Sequence, residues 1–169
     1  IDYAFAKAIG IDPFHIGLAF DLCPHVHFGT NEGFECIKHH ADVLFTHLHR
    51  LYGKHYISHP PFVVIKSDKG TYGMAVMKIF SVKDLDSLNR KTRKQMSKEK
   101  NGGVLNQIIL QEGVPTELHN HQGNAHAEAC IYHLNDHTIG GFLRTHSNKN
   151  SYDNLNRPDT LFEQLQPHA

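Results

Sequence analysis

Between residues 32 and 52, apolar side chains return every three or four positions: Phe34, Ile37, Ala41, Leu44, Leu48 and Leu51. That period gathers them on one face, and the spacing predicts a helix from about Glu32 to Tyr52. Thr30 or Asn31 can cap its start, Glu32 and Glu35 suit its first turn, and Gly53 suits its end. The apolar runs Phe62–Lys66 and Tyr72–Phe80 predict two strands. A second helix is expected from Ser81, with Asp84 completing a capping box and Leu85, Leu88, Thr92 and Met96 turned inward. Asn106–Glu112 predicts a third strand. Glu128–Leu134 and Thr138–Thr145 predict a hairpin across Asn135, Asp136 and His137. Before residue 30 the periodicity is weak and broken by Gly and Pro, which predicts a short helix and then irregular chain. After His146 the chain turns polar and turn-rich. The order helix, strand, strand, helix, strand, strand, strand predicts an α+β fold, a mostly antiparallel sheet with packed helices. Residues 1–59 read as a helical lead-in and residues 60–169 as the sheet-bearing portion.

Composition narrows the picture only a little. A chain of 169 residues is long enough for one domain with a real core. Lys and Arg number 17 against 17 for Asp and Glu, so net charge favours no anionic partner. Cys23, Cys36 and Cys130 are scattered, form no recognisable metal or redox spacing, and fit a reducing, cytoplasmic setting. No stretch approaches the roughly 20 apolar residues of a membrane helix. The chain starts at Ile1 rather than Met, and its natural start is expected upstream.

The segment 61–77, PFVVIKSDKGTYGMAVM, carries the first candidate chemistry. Lys66 ends a strand, and Gly70 and Gly73 let the following backbone approach a ligand closely. The order strand, lysine, glycine loop, strand differs from a P-loop and from a kinase. It suits a lid over phosphates, as in ATP-grasp sites, or a plain hairpin with an exposed lysine. Next, Gln111 and Glu112 end an apolar strand and Gly113 follows, an apolar slot with polar partners such as an adenine edge needs. Third, Glu128 begins one hairpin strand and Arg144 lies near the end of its partner. Asn154 and Asn156 follow, two apart on an extended segment that would turn both to one face. Oxygen donors of this kind suit Mg2+, and Arg144 suits a phosphoryl group or a carboxylate.

Together PFVVIKSDKGTYGMAVM, LNRKTRKQMSKEKNG, IILQEGVPT, HTIGGFLRTH and DNLN occur in an order that resembles the C-terminal half of the proteobacterial glutamate–cysteine ligase family, whose site is ATP-grasp-like. GIDPF near the start is similar to that family's lead-in. The resemblance implies ATP- and Mg2+-dependent joining of the glutamate γ-carboxylate to the cysteine amine, the first step of glutathione synthesis, in the cytoplasm. It implies that Lys66, Gly70, Thr71, Tyr72, Gly73 and Met74 contact the phosphates and that Gln111, Glu112, Gly113 and Val114 adjoin the adenine. It gives Glu128, Asn154 and Asn156 to the metal or substrate, and Arg144, with Lys66, to catalysis. The chain departs from the family at Lys69, at Ala75 and in the run after Asn156, and it is shorter than the family's proteins.

Two other readings compete. His119, His121 and His126 in ELHNHQGNAHAE could hold a transition metal in a cupin-like protein. Against this, histidine is common throughout the chain, which has 16. Arg90, Lys91, Arg93, Lys94, Lys98 and Lys100 could make a basic helix for nucleic acid. The balanced net charge and the lack of aromatic partners favour a solvated helix face, and small-molecule substrates remain the expected partners.

Overall fold

The computed structural model describes residues 2–24, 31–67, 76–88, 107–157 and 159–165. The chain divides into two compact units, residues 1–113 and residues 114–169.

In the first unit, α1 (Asp2–Ala8) and a 3-10 turn (Pro13–His15) precede β1 (Phe20–Pro24) and the long α2 (Asn31–Lys54). Strands β2 (Val63–Ser67) and β3 (Val76–Ile79), the short α3 (Lys83–Asp86) and β4 (Gln107–Glu112) follow. The sheet order is β1-β4-β2-β3, antiparallel throughout. α2 lays Phe34, Ile37, Ala41, Leu44 and Leu48, as its period requires, together with Phe45 and Tyr52, against one face of this sheet. The strands answer with Cys23, Val63, Ile65, Ile79, Ile108 and Leu110, all at most 1% exposed.

α2 does not stop at Gly53. It continues to Lys54, and Tyr56 takes the left-handed conformation (φ 55) that closes it. The Ile57 N–H returns to the Tyr52 carbonyl at 2.9 Å, the long bond of a Schellman ending. At α3 the capping partnership is one-sided: the Asp84 carboxylate accepts from the Ser81 N–H (3.0 Å) and hydroxyl (3.1 Å). Leu85 is buried, whereas Thr92 and Met96 lie outside the described residues.

The segment read as irregular contains β1, an edge strand whose neighbour β4 lies far along the chain. β1 shows only one fully buried side chain, Cys23, and ends on Pro24, so local pattern could not announce it.

The second unit is a three-stranded antiparallel sheet, β5 (His126–Leu134), β6 (His137–His146) and β7 (Leu161–Gln164), in the order β5-β6-β7. The hairpin turns at Asn135, which adopts φ 54, a conformation asparagine tolerates. Ala127, Leu143 and Thr145 are the buried positions of β5 and β6, and Leu155 is buried in the segment that follows. Buried Asn120 organises the preceding loop: its Oδ1 accepts from the Asn124 and Ala125 N–H groups, and its Nδ2 donates to Asn124 and Glu163.

Candidate functional site

Alternation along the strands decides which candidates share a surface. In β2 and β4, Val63, Ile65, Ile108, Leu110 and Glu112 face α2, so Val64, Lys66, Ile109 and Gln111 face the other way and are half-buried. Register sets Val64 opposite Gln111 and Lys66 opposite Ile109. The Lys66 Nζ donates to Gln111 Oε1 at 2.7 Å. Phe20 and Leu22, opposite Gln111 and Ile109 on β1, extend this outer face with exposed apolar surface. On the other side, Val76 and Lys78 of β3 lie opposite Lys66 and Val64. The surface is therefore an apolar floor with ammonium groups from neighbouring strands.

Glu112 has a different place. Its side chain is 4% exposed and turned toward α2. Its Oε2 accepts the Ala19 N–H at 3.1 Å, and it accepts the Tyr52 hydroxyl. Burial first, and then the Glu112 charge and hydrogen bond, push the Tyr52 hydroxyl well above its ordinary pKa. The Glu112 carboxylate thus ties β4 to the segment before β1 and to α2, on the opposite face from Gln111. Gly113 also has a packing reason: a Cβ there would overlap the buried Phe62 ring, while its N–H donates to the Phe62 carbonyl at 2.8 Å. Val114 is exposed and opens the second unit. Gly70, Thr71, Tyr72, Gly73 and Met74 lie outside the described residues, as does the basic run 90–100.

In the second unit Glu128 and Arg144 are register partners on β5 and β6, with Arg144 Nη2 3.2 Å from Glu128 Oε2. Arg144 Nε is buried and has no partner among the described residues. A donor in that position is an unmet demand for an acceptor. Asn154 and Asn156 do not form the parallel pair expected of an extended segment. Asn154 Oδ1 turns back to accept the Asn156 N–H at 2.9 Å, and buried Leu155 separates half-buried Asn154 from exposed Asn156. Local self-pairing of this kind is what short amide side chains do in turns.

Of the histidines of the cupin-like reading, His119 and His121 lie in the loop before β5, and His126 opens β5. His119 and His126 meet in an isolated bridge with ring centres 4.6 Å apart, while His121 Nε2 pairs with the Gln164 carbonyl at 2.9 Å. Among the described residues these three do not bring their ligand atoms together; Cys23, Cys36 and His40 do.

The comparisons decide the family. The family model for glutamate-cysteine ligase matches residues 1–169. The chain belongs to the glutamate–cysteine ligase family. A solved structure from Methylobacillus flagellatus KT, provisionally named gamma-glutamylcysteine synthetase, is similar at 36% identity with a TM-score of 0.79. That likeness covers 98% of this chain and 39% of the other, so the chain spans about two fifths of the length of the structure it matches. No curated protein matches the sequence.

For this member of the glutamate–cysteine ligase family, two features of the first unit escape the sequence motifs. One is a cleft of about 750 Å³ lined by Phe14, Leu18, Phe20, His47, Arg50 and Lys54, among others. The Lys54 ammonium is held 2.6 Å from Asp12. The other is the cysteine pair. Cys23 and Cys36 are not scattered in space: β1 packs on α2 and brings their sulfurs together as a disulfide. Their separation of 13 residues matches no familiar motif, which is why the sequence hid them. No described helix is long and apolar enough to cross a membrane.

Proposed function

We propose that this chain supplies the ATP-binding part of a cytoplasmic, ATP-grasp-like glutamate–cysteine ligase, which joins L-glutamate to L-cysteine in the first step of glutathione synthesis. The observation that carries this reading is the Lys66–Gln111 pair on the half-buried outer face of the first sheet. An adenine ring needs apolar contact and a few polar partners, and the triphosphate needs cations beside it. Ile109, Val64, Leu22 and Gln111 offer the first, and Lys66 the second.

In this reading a γ-carboxylate oxygen of glutamate attacks the terminal phosphorus of ATP and ADP leaves. The cysteine amine then attacks the acyl carbon, loses a proton and expels phosphate. No protein nucleophile is needed, so catalysis is positioning and charge neutralisation. Lys66 holds the phosphates, with Gly70, Thr71, Tyr72, Gly73 and Met74 covering them. Gln111 serves the adenine edge by its side chain, and Glu112, Gly113 and Val114 keep the strand end in place. The Nε donor of Arg144 is set to take an oxyanion, either the acyl phosphate or a substrate carboxylate.

Glu128, Asn154 and Asn156 are oxygen donors of the class Mg2+ prefers. Asn154 Oδ1 keeps a second lone pair beyond the one engaged by the Asn156 N–H, so it can still donate to an ion. Magnesium, when bound, supplies charge neutralisation to anionic oxygens. Glu128 would hold it while balancing Arg144.

The test is product formation: the chain is incubated with ATP, Mg2+, glutamate and cysteine, and γ-glutamylcysteine and ADP are quantified. Equal yields that require both amino acids and fall with Arg144→Ala support the ligase. Amino-acid-independent ADP release, or a dipeptide yield unchanged by Arg144→Ala, contradicts it.

A further inference from the structure

We infer that Cys23, Cys36 and His40 form a binding site for a thiophilic divalent cation of the zinc class, on the α2 side of the first sheet. Their ligand atoms all lie within 4.8 Å of one another. The site is built by the fold rather than by a local motif. Cys36 and His40 are four residues apart on α2 and so share one face. Cys23 lies on the core face of β1, opposite buried Ile108, and meets them from the sheet.

A further group prepares the imidazole. Asp21 is two residues before Cys23 and therefore on the same side of β1. Its Oδ2 lies 2.7 Å from His40 Nδ1. A carboxylate on Nδ1 keeps the proton there and leaves the Nε2 lone pair for a metal, as in carboxylate–histidine–zinc arrangements. Two thiolates and one imidazole select a borderline-soft ion over Mg2+. Three protein ligands leave one tetrahedral position to water, the count of zinc sites that keep an open position.

The site is separate from the proposed nucleotide surface, because Lys66 and Gln111 occupy the opposite face of the same sheet. The ligand is the dithiol. The disulfide in the structure is the closed form of the same pair and competes with metal for the sulfurs.

The test uses the chain reduced with a phosphine, freed of excess reagent, and titrated with Zn2+ and separately with Co2+. One equivalent of Zn2+ is expected, with Co2+ giving thiolate-to-cobalt charge-transfer absorption that distinguishes this site from the many surface histidines. Cys36→Ser should abolish that absorption. His40→Ala and Asp21→Asn, both at partly exposed positions, should weaken Zn2+ binding about tenfold or more, with circular dichroism confirming the fold. Re-oxidised chain should bind no metal here. The inference is overturned if reduced wild type shows no thiolate-to-cobalt band. It is equally overturned if that band survives Cys36→Ser, or if folded His40→Ala binds as tightly as wild type.

Discussion

Lys66 and Gln111 are joined across β2 and β4 by a 2.7 Å hydrogen bond on the sheet face that α2 leaves uncovered. The bond fixes the amine and the amide relative to each other and to the apolar strip beside them. Gln111→Ala should free the ammonium and weaken nucleotide binding roughly tenfold, the cost of about one good hydrogen bond, with little change in melting temperature. Equilibrium titration with a fluorescent ATP analogue measures this.

Gly113 is held against Phe62. Gly113→Ala should destabilise the first unit by about 1–3 kcal/mol, because the added methyl overpacks a buried ring. Denaturant unfolding measures the loss. Gly113→Ala with Phe62→Leu should recover part of it, which a purely nucleotide-contacting glycine would not predict.

Tyr56 closes α2 at φ 55 while 94% exposed. Its side chain contributes little there, and a residue with a Cβ pays for the left-handed conformation. Tyr56→Gly should therefore stabilise the chain by about 1 kcal/mol, read as a higher melting temperature.

His146 lowers the Asp159 carboxyl to about 2 through their 3.0 Å contact, with further help from Arg157. Its folded pKa lies below the ordinary value of 3.8. The associated stabilisation is thus present above about pH 4 and is lost as pH falls toward 2. Carbon-detected NMR titration should show a depressed Asp159 midpoint that rises toward 3.8 in His146→Ala. The opposite sign holds at Tyr52, whose raised pKa makes its contribution full below pH 10 and lost as pH climbs above it.

Much of this molecule was legible in its sequence where the signal is local. The α2 stripe and the β5–β6 hairpin follow from period and turn chemistry. The strands β1 and β7 were not legible: each is a short edge strand with largely exposed side chains, and tertiary pairing alone defines it. Within the candidate site, the nearness of Lys66 to Gln111 was implicit in two strand ends. The opposite facing of Gln111 and Glu112 was available from strand alternation, yet the run Gln-Glu-Gly read as one polar cluster. The Asn154–Asn156 turn was obscured because the same spacing suits both an extended ligand pair and a self-bonded loop. The Cys23, Cys36 and His40 cluster depends on β1 packing against α2, which no spacing encodes.

In the proposed function, the outer face around Lys66 binds the phosphates of ATP. Calorimetric titration of the chain with the non-hydrolysable analogue AMP-PNP in Mg2+ tests it most directly, comparing wild type with Lys66→Ala. One site per chain is expected, with a loss of about tenfold or more in Lys66→Ala, since a bond to a charged group is worth about 1.5–3 kcal/mol. Equal affinity in wild type and a folded Lys66→Ala, or no binding by wild type, would contradict it.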